Sequence, residues 1–320
     1  MLRKIGRFCK KKIRRYRNQK HISDYPAECG GWKKYKGNPV LGDKETGTLF
    51  DPFIRCVDNR YIMCVSRRRD DCLMFFDSLD GITWENERVI LEGIPNSDWE
   101  TKVNRGCFLI RDNQWYVWYT GQHNGKSRIG LAISRDGRSF SRISSMPVLI
   151  PEKDFEGDAV MNPCVLWDAD KASFRMWYAA GENYEPDVLC YAESKDGVTW
   201  DKWPEPVMKA DVRKAYQQFK VGACDILKTK KAYVMAYIAY QNLDVARICV
   251  ATSNDGILKW ETLDENPILS PEKKQWDGHA VYKPTILYDH NRQIIRIWYN
   301  GRNGHCEKIG LAEKMGSTIL

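Results

Sequence analysis

The clearest pattern along the chain is a recurring run of five residues in which aromatic and aliphatic side chains dominate. These runs occupy residues 115–119, 174–178, 233–237 and 295–299. Further short apolar runs follow them, as at residues 129–132. Short runs rich in aromatic and β-branched residues, bounded by polar turns, are typical of β-strands. The pattern therefore predicts an all-β protein.

A repeated turn separates these strands. The signature Ser-x-Asp-Gly begins at Ser78, Ser134, Ser194 and Ser253, and its aspartates lie 56, 60 and 59 residues apart. An Asp-Gly pair between apolar runs is a strong signal for a β-hairpin. Similarity at a fixed period indicates a repeat architecture. The chain is therefore expected to repeat one structural unit several times.

Short outer strands follow the turns, at residues 88–91, 147–150, 206–208 and 267–269, so one repeat predicts a four-stranded blade. The fifth repeat begins near Trp276 and ends at Ala312 without such a strand. Residues 37–41 resemble the other outer strands and are expected to complete the fifth repeat. The predicted fold is a five-bladed β-propeller with four-stranded blades, closed by an N-terminal strand. The alternative, a repetitive β-sandwich, leaves residues 37–41 unexplained.

Positive charge is concentrated at the N-terminus. The chain of 320 residues has a formal net charge of +8, yet residues 1–20 hold ten Lys or Arg and no acid. The other 300 residues therefore hold 40 of the 50 basic side chains against all 42 acidic ones. A nucleic-acid-binding domain is expected to carry a basic face of its own. No nucleic acid is therefore expected among the partners of the main domain.

The basic N-terminal segment also has a helical pattern. Within residues 1–20 the apolar side chains recur every three or four positions, at Leu2, Ile5, Phe8, Cys9, Ile13 and Tyr16. This spacing predicts a basic amphipathic helix, which can lie on an anionic membrane surface. The alternatives are a solvated basic arm without structure or a contact with RNA.

The chain has no run of about 18 apolar residues, and its N-terminus lacks the apolar core and cleavage site of a signal peptide. The protein is therefore expected in the cytoplasm, peripheral at the inner face of the plasma membrane. Its eleven cysteines include no CxxC pair, which favours free thiols over disulfides or zinc. The predicted domains are a membrane-surface segment, residues 1–30, and a catalytic propeller, residues 31–320.

Candidate site residues emerge when the repeats are aligned on their second strands. The alignment gives equivalent positions, on the innermost strands, to Asp51, Arg105, Asn162, Ala223 and Lys283. The starts of the innermost strands of a propeller meet at one mouth, where side chains from different blades can converge on a ligand. Asp51 is the predicted catalytic carboxylate, and Asn162 is predicted to bind substrate. Arg105 and Lys283 are expected either to bind an anionic or hydroxyl-rich ligand or to neutralise Asp51.

Two loops that precede innermost strands share a motif. Residues 156–160, Glu-Gly-Asp-Ala-Val, match residues 277–281, Asp-Gly-His-Ala-Val. Asp158 and His279 then correspond and are expected just above the mouth as further catalytic residues. His279 is predicted to contact the ligand or donate a proton, with a packed loop histidine as the alternative. Asp277 is predicted to bind substrate, although Asp-Gly pairs are often plain turn formers.

Several short motifs of the sequence resemble those of a known superfamily. They are Leu-Phe-Asp-Pro at 49–52, Trp-Asp-Gly at 276–278 with Lys-Pro at 283–284, Ile-Trp-Tyr-Asn-Gly at 297–301, and the repeated Ser-x-Asp-Gly-x-x-Trp. Together they resemble the five-bladed propellers of glycoside hydrolase families 43, 32, 68 and 130, over residues 38–316. The resemblance is specific for the fold and less so for the reaction, because one propeller serves many activities.

The resemblance to family 43 implies three carboxylates: a base, a modulating Asp and a Glu acid on the first, third and fourth blades. Asp51 matches the base, whereas Asn162 stands where the modulating Asp is expected. The fourth repeat reads Lys-Val-Gly-Ala-Cys-Asp at 220–225 and lacks the Glu. Glycoside hydrolysis normally needs two carboxyl groups. Asp158 and Asp225 are the candidates for the missing acid.

The sequence favours a membrane-associated glycosyltransferase of surface polysaccharide biosynthesis, such as capsule or lipopolysaccharide. Asp51 would be the base on the acceptor hydroxyl, Arg105 and Lys283 would hold the phosphate of the donor, and the partners would be a sugar donor and a glycan acceptor. The alternatives are a glycoside hydrolase of the family 43 or 32 type and a non-catalytic glycan-binding propeller. No metal ligands are predicted. The resemblance to family 43 nevertheless leaves open a divalent cation on the propeller axis, near His279.

Overall fold

The structure, a computed structural model, describes residues 17–42, 47–182 and 186–316. Residues 1–16 of the predicted basic helix lie outside the described residues. The regular secondary structure of the described chain is almost all β-strand, which confirms the prediction of an all-β protein. Its 3₁₀ helices are Lys20–Asp24, Asp154–Glu156 and Ala215–Gln217. In the described ranges, no helix has the length and apolar character needed to cross a membrane.

Hydrogen bonding groups the described strands into five consecutive antiparallel repeats. The first repeat contains β2 (Leu49–Val57), β3 (Arg60–Arg67), β4 (Cys72–Ser78) and β5 (Glu85–Leu91). The second contains β6 (Lys102–Arg111), β7 (Gln114–His123), β8 (Lys126–Ser134) and β9 (Ser141–Arg142). The third contains β10 (Ala159–Asp168), β11 (Ser173–Gly181), β12 (Val188–Ser194), β13 (Asp201–Lys202) and β14 (Met208–Lys209).

The last two repeats follow the same order. The fourth contains β15 (Lys220–Lys228), β16 (Tyr233–Asn242), β17 (Val245–Ser253) and β18 (Glu261–Thr262). The fifth contains β19 (Ala280–Asp289), β20 (Ile294–Asn303) and β21 (Cys306–Met315). Its outer strand, β1 (Lys33–Lys34), comes from the N-terminal part of the chain. The second and third repeats also share one parallel bridge, between Ser127 and Ala159.

In the first four repeats, turns with the signature Ser-x-Asp-Gly reverse the chain between the third strand and the outer strand. In the second repeat, Oδ1 of Asp136 accepts hydrogen bonds of 2.8 Å from the backbone N–H groups of Arg138 and Ser139. These donors lower the pKa of Asp136 to about 2. Gly137 has a φ of 67°, a conformation that glycine adopts without the steric penalty of a Cβ atom. The predicted turn is therefore fixed by its own side chains.

Buried tryptophans connect neighbouring repeats. The indole Nε1–H of Trp118 donates to the Gly197 carbonyl at 2.9 Å. The corresponding bond from Trp298 reaches the Gly81 carbonyl at 2.8 Å and so joins the fifth repeat to the first. The innermost strands β2, β6, β10, β15 and β19 pack against one another in that order, and β19 packs against β2. The repeats therefore surround a common axis.

The strand predicted at residues 37–41 pairs with the fifth repeat through Val40 and Leu41. The Val40 N–H donates to the Ile309 carbonyl at 2.9 Å. In the second repeat, the equivalent hydrogen bond runs from the Val148 N–H to the Ile129 carbonyl, at 2.8 Å. Pairing also extends back to Lys33–Lys34, which is more of the chain than the sequence pattern indicated.

The chain before β1 packs on the fourth and fifth repeats. The ring of Tyr25 meets that of Tyr216 edge to face, with centroids 6.1 Å apart, and Trp32 is buried in the core of the fifth repeat. The domain boundary after residue 30 stays a prediction. The described part of that first segment nevertheless lies against the body of the protein.

A buried ion pair crosses the axis, from β2 of the first repeat to β15 of the fourth. The Arg55 guanidinium binds both carboxylate oxygens of Asp225, at 2.7 and 3.0 Å. Thr285 Oγ1 and the Ile286 N–H also donate to Asp225, at 2.8 and 2.9 Å. Burial alone would raise the pKa of Asp225, but Arg55 and these hydrogen bonds hold it below its usual value. Asp225 is therefore an ionised structural group, which does not suit the role of a substitute catalytic acid.

We expect Asp225→Ala to lower the free energy of unfolding by about 3–5 kcal/mol, because it leaves the Arg55 charge without its partner in the core. The double variant Arg55→Leu/Asp225→Leu should recover only part of this loss, because the Thr285 hydroxyl and the Ile286 N–H still lose their acceptor. Glu85→Ala, which breaks the exposed pair with Arg60, is the control and should cost about 1 kcal/mol or less. Urea unfolding measures all three, and equal losses for the two single variants would contradict the assignment.

Candidate active site

A cavity of about 210 Å³ opens at the end of the axis where the innermost strands begin. Asp51, Arg105 and Asn162, from three innermost strands, line it together. The fifth repeat contributes Arg302 and Glu307 to the same wall. The cavity therefore collects charged side chains from several repeats at one place.

A β-bulge positions these side chains. Four of the aligned residues have a left-handed backbone, with φ of 58° at Asp51, 52° at Arg105, 55° at Asn162 and 46° at Lys283. Each stands where the pairing of an innermost strand with the next strand shifts by one residue. Non-glycine residues in this conformation carry a strain of about 1–3 kcal/mol, and bulges can redirect side chains toward a site. The repeated bulges thus direct these side chains toward the start of the axis, where the alignment of the repeats puts them.

Asp51 lies at the centre of the group. Its side chain is buried, with Oδ2 at 3.1 Å from Arg105 Nε. Its backbone N–H donates to Asn300 Oδ1 at 2.9 Å. Burial raises the pKa of Asp51, and the nearby charges of Arg105 and Lys283 offset only part of this rise. Asp51 therefore keeps its proton to a higher pH than an exposed aspartate does.

Three buried polar atoms around Asp51 have no hydrogen-bond partner among the described residues: Lys283 Nζ, Asn162 Oδ1 and Asn300 Nδ2. Lys283 is only 1% exposed. Buried polar groups are nearly always hydrogen-bonded, so a cluster of unpartnered ones calls for an explanation. Two donors and one acceptor beside a carboxylate suit a ligand that carries several hydroxyl groups.

The sequence analysis missed a second carboxylate of the cavity, Glu307. Its Oε2 lies 2.6 Å from Arg68 Nη2, and the Tyr282 hydroxyl donates to its Oε1. Glu307 stands near the start of β21, at the position that Ser127 takes in β8, since they pair with Arg302 and Gln122. A charged residue where another repeat has a small one is the signal that could have revealed it.

Asp277 lies outside the cavity wall and has a structural environment. It accepts a hydrogen bond of 3.2 Å from the Tyr299 hydroxyl and pairs with Lys34 at 2.7 Å. Two other repeats have the same clasp of acid, tyrosine and cation: Glu100 with Tyr119 and Arg142, and Glu156 with Tyr178 and Lys202. The predicted substrate-binding residue is therefore one copy of a repeated contact between strands.

The structure also separates Asp158 and His279 from the group around Asp51. Asp158 is exposed, and its backbone carbonyl accepts from Arg128 Nη1 at 3.0 Å. His279 is half-buried at the rim, where its Nδ1 accepts a 2.8 Å hydrogen bond from the Gly304 N–H. Neither side chain lines the cavity. The cavity thus brings Asp51, Arg105 and Asn162 together, with Lys283 buried where its charge acts on Asp51, and it leaves Asp158 and His279 outside.

Metal binding has no assembled ligand set in the part of the chain that the structure describes. There, no group of three or more His, Cys, Asp or Glu side chains could hold a metal ion. The ten described cysteines are free thiols. The axial cation that the resemblance left open therefore gains no ligands from these residues.

Comparisons with known proteins agree with the fold. The family model described as "Glycosyl hydrolases family 32 N-terminal domain" matches residues 76–218. An uncharacterised protein, MT1551 of Mycobacterium tuberculosis (strain CDC 1551 / Oshkosh), is 29% identical over 217 residues, which cover 63% of this chain and 69% of that protein. The 1,2-beta-oligomannan phosphorylase of Thermoanaerobacter sp. (strain X514) is 26% identical, over 61% of this chain and 64% of that enzyme.

Among solved structures, a thermostable family-43 glycoside hydrolase has a TM-score of 0.69 and 17% identity, over 86% of this chain and 91% of that one. The fold is therefore that of a β-propeller. The family model, the relatives and the solved structure together support the resemblance that the repeated motifs predict, to the superfamily of β-propeller carbohydrate-active proteins that includes glycoside hydrolase families 32 and 43. The relatives whose names state an activity are glycan-active enzymes, which agrees with the prediction of an enzyme. They favour the glycoside-hydrolase alternative over the glycosyltransferase of polysaccharide biosynthesis.

The raised pKa of Asp51 predicts a pH-dependent effect on stability. Ionised Asp51 disfavours the folded state, so Asp51→Asn should be more stable than the wild type at pH 7. This advantage should shrink as pH falls toward 3.8, the ordinary pKa of aspartate, because both side chains are then uncharged. Asn suits the left-handed backbone here, as Asn162 does in the third repeat.

Urea unfolding between pH 3 and pH 7 measures this difference in the free energy of unfolding. Asp225→Asn is the matched control with the opposite sign. The pKa of Asp225 is lowered, so the advantage of the wild type over that variant should be constant above about pH 5 and should shrink as pH falls through 3.8. A difference between the wild type and Asp51→Asn that is constant with pH would contradict the account of Asp51.

Proposed function

We propose that this protein is a glycoside hydrolase that cleaves a glycosidic bond in the axial cavity. Its five repeats would be five blades of one propeller, with β1 and residues 37–41 completing the last blade. The observation that carries the proposal is the buried Asp51, whose pKa is raised, beside unpartnered donors and acceptors in a cavity at the propeller mouth. Relatives and structural neighbours named as glycoside hydrolases or phosphorylases support it.

Asp51 would transfer the proton. A carboxyl group that stays protonated near neutral pH can donate to the leaving oxygen as the bond to the anomeric carbon breaks. That oxygen takes the bonding electron pair and the proton. Arg105 holds the Asp51 carboxyl in place, and its positive charge stabilises the carboxylate that remains after the proton has left.

Glu307 is the candidate for the second carboxyl group that hydrolysis requires. It lines the same cavity, held by Arg68 and Tyr282. In this role it would accept a proton from the water that attacks the anomeric carbon. The pair Asp51 and Glu307 would thus supply the acid and the base, although the fourth repeat lacks the Glu of family 43.

The three unpartnered atoms would orient the sugar. Lys283 Nζ and Asn300 Nδ2 can donate hydrogen bonds to its hydroxyl groups, and Asn162 Oδ1 can accept one. Asn300 Oδ1 already accepts a hydrogen bond from the Asp51 backbone N–H. The side-chain amide is fixed in this orientation, so its nitrogen points away from that N–H. Binding a sugar would therefore satisfy buried groups that the free protein leaves without partners.

Phosphorolysis is the second candidate reaction. Arg68, Arg105 and Arg302 all line the cavity, and such a group of cations can hold an incoming phosphate in the place of water. One relative is named as a phosphorylase. Dependence of cleavage on inorganic phosphate separates the two reactions.

The first test is glycan cleavage by the wild type and Asp51→Asn, with and without phosphate. Oligosaccharides, including β-1,2-linked mannosides, and aryl glycosides are offered, and products are identified by mass spectrometry. We expect Asp51→Asn and Glu307→Gln each to lower kcat/KM by about a hundredfold or more, because each removes a proton-transferring group. Asp158→Asn, an exposed carboxylate outside the cavity, is the control and should retain activity. Full activity of Asp51→Asn would refute the mechanism.

A second test separates residues of the cavity from residues of the scaffold. Asn162→Gly keeps the left-handed backbone without strain and should raise KM about tenfold, the effect of one lost hydrogen bond to the ligand. Asp277→Asn should leave KM unchanged and lower the unfolding temperature, since it weakens the contact with Lys34. A change of KM in Asp277→Asn alone would instead place Asp277 at the substrate.

A further inference from the structure

The first described residues of the chain lie beside the mouth of the cavity. Asn18 Nδ2 donates a 2.7 Å hydrogen bond to Asp244 Oδ2. Asp244 belongs to the turn between β16 and β17, and it lines the cavity. Arg247 Nη2 holds the next part of the segment by donating to the His21 carbonyl at 2.5 Å. The described chain therefore begins at the rim of the cavity.

The sequence of residues 1–16 fits one class of partner best. It contains eight Lys or Arg and no acid, and apolar side chains such as Phe8 and Ile13 recur between them. Basic residues next to anionic lipid headgroups each favour binding, and interspersed apolar side chains add to it by entering the interface. An RNA partner would bind the basic side chains, but it would not account for the apolar side chains at regular positions between them.

We propose that the mouth of the cavity faces an anionic lipid surface, to which residues 1–16 attach the protein. The point of attachment lies at the rim, so the rim is the part of the body nearest to the surface. The opposite end of the axis, beyond Arg55 and Asp225, faces away from it. This orientation does not depend on the reaction that the cavity performs.

Two exposed cysteines report on the two ends of the axis. Cys306 begins β21 in the hairpin beside Gly304, at the mouth. Cys56 lies near the end of β2, at the opposite end. Of the other described cysteines, Cys29 is half-buried and the rest are buried. The variant Cys9→Ser/Cys29→Ser of the full chain thus keeps one accessible thiol at each end.

The test measures the rate at which a maleimide-polyethylene glycol modifies each thiol, with and without vesicles, by mass spectrometry of the peptides. With vesicles of phosphatidylglycerol and phosphatidylcholine we expect modification of Cys306 to slow at least fivefold and that of Cys56 to stay unchanged. Vesicles of phosphatidylcholine alone should protect neither thiol. Protection of Cys56, or equal protection of both, would overturn the proposed orientation.

Charge variants test the attachment by co-sedimentation with the same vesicles. Lys11→Gln/Lys12→Gln should weaken partitioning about thirtyfold, given the contribution of each basic residue beside an anionic surface. Lys230→Gln/Lys231→Gln removes two exposed charges from the opposite end and should leave partitioning unchanged. Equal effects of the two pairs would overturn the proposal, as would capture by single-stranded RNA with no binding to vesicles. Glycan cleavage is not part of the readout, so these outcomes are independent of the proposed reaction.

Discussion

The left-handed residue near the start of four innermost strands is the constraint on which the site depends. A strand without a bulge would continue its regular alternation and give these positions no special direction. The bulge redirects Asp51, Arg105, Asn162 and Lys283, at a conformational cost that recurs around the axis. Such a repeated cost is tolerated because each innermost strand is held on both sides by its own repeat and by its neighbours. The repeats thus form a rigid support, and the bulges bring the polar side chains of the site together.

Much of the fold was predictable because its signals are local. The Ser-x-Asp-Gly turn fixes itself through its own serine and aspartate, so four copies of it reveal the period without knowledge of any distant contact. The alignment of the repeats then placed Asp51 and Lys283 at equivalent positions. The pairing through Val40 and Leu41 was also predictable, because the fifth repeat lacked an outer strand of its own and residues 37–41 resembled one. The earlier pairing at Lys33–Lys34 gave no such signal, because two lysines do not resemble a buried strand.

The individual roles were harder to predict because a carboxylate has the same sequence signature in a clasp and in a site. Asp277 follows a tryptophan and precedes a glycine, which fits a binding loop, yet its partner Lys34 lies 243 residues away. Glu307 was missed for the converse reason. Its importance depends on Arg68, which reaches it from another repeat, and on Tyr282, which lies on β19, two strands away in the same repeat. Long-range ion pairs of this kind leave no periodic pattern along the chain.

The ion pair of Arg55 and Asp225, which crosses the axis, also limits the route by which a ligand can reach the cavity. A channel open at both ends could let a polymer thread through it, whereas a site behind such a barrier can be reached only from the mouth. A glycan would therefore bind across or into the mouth, and each product would leave by the way it came.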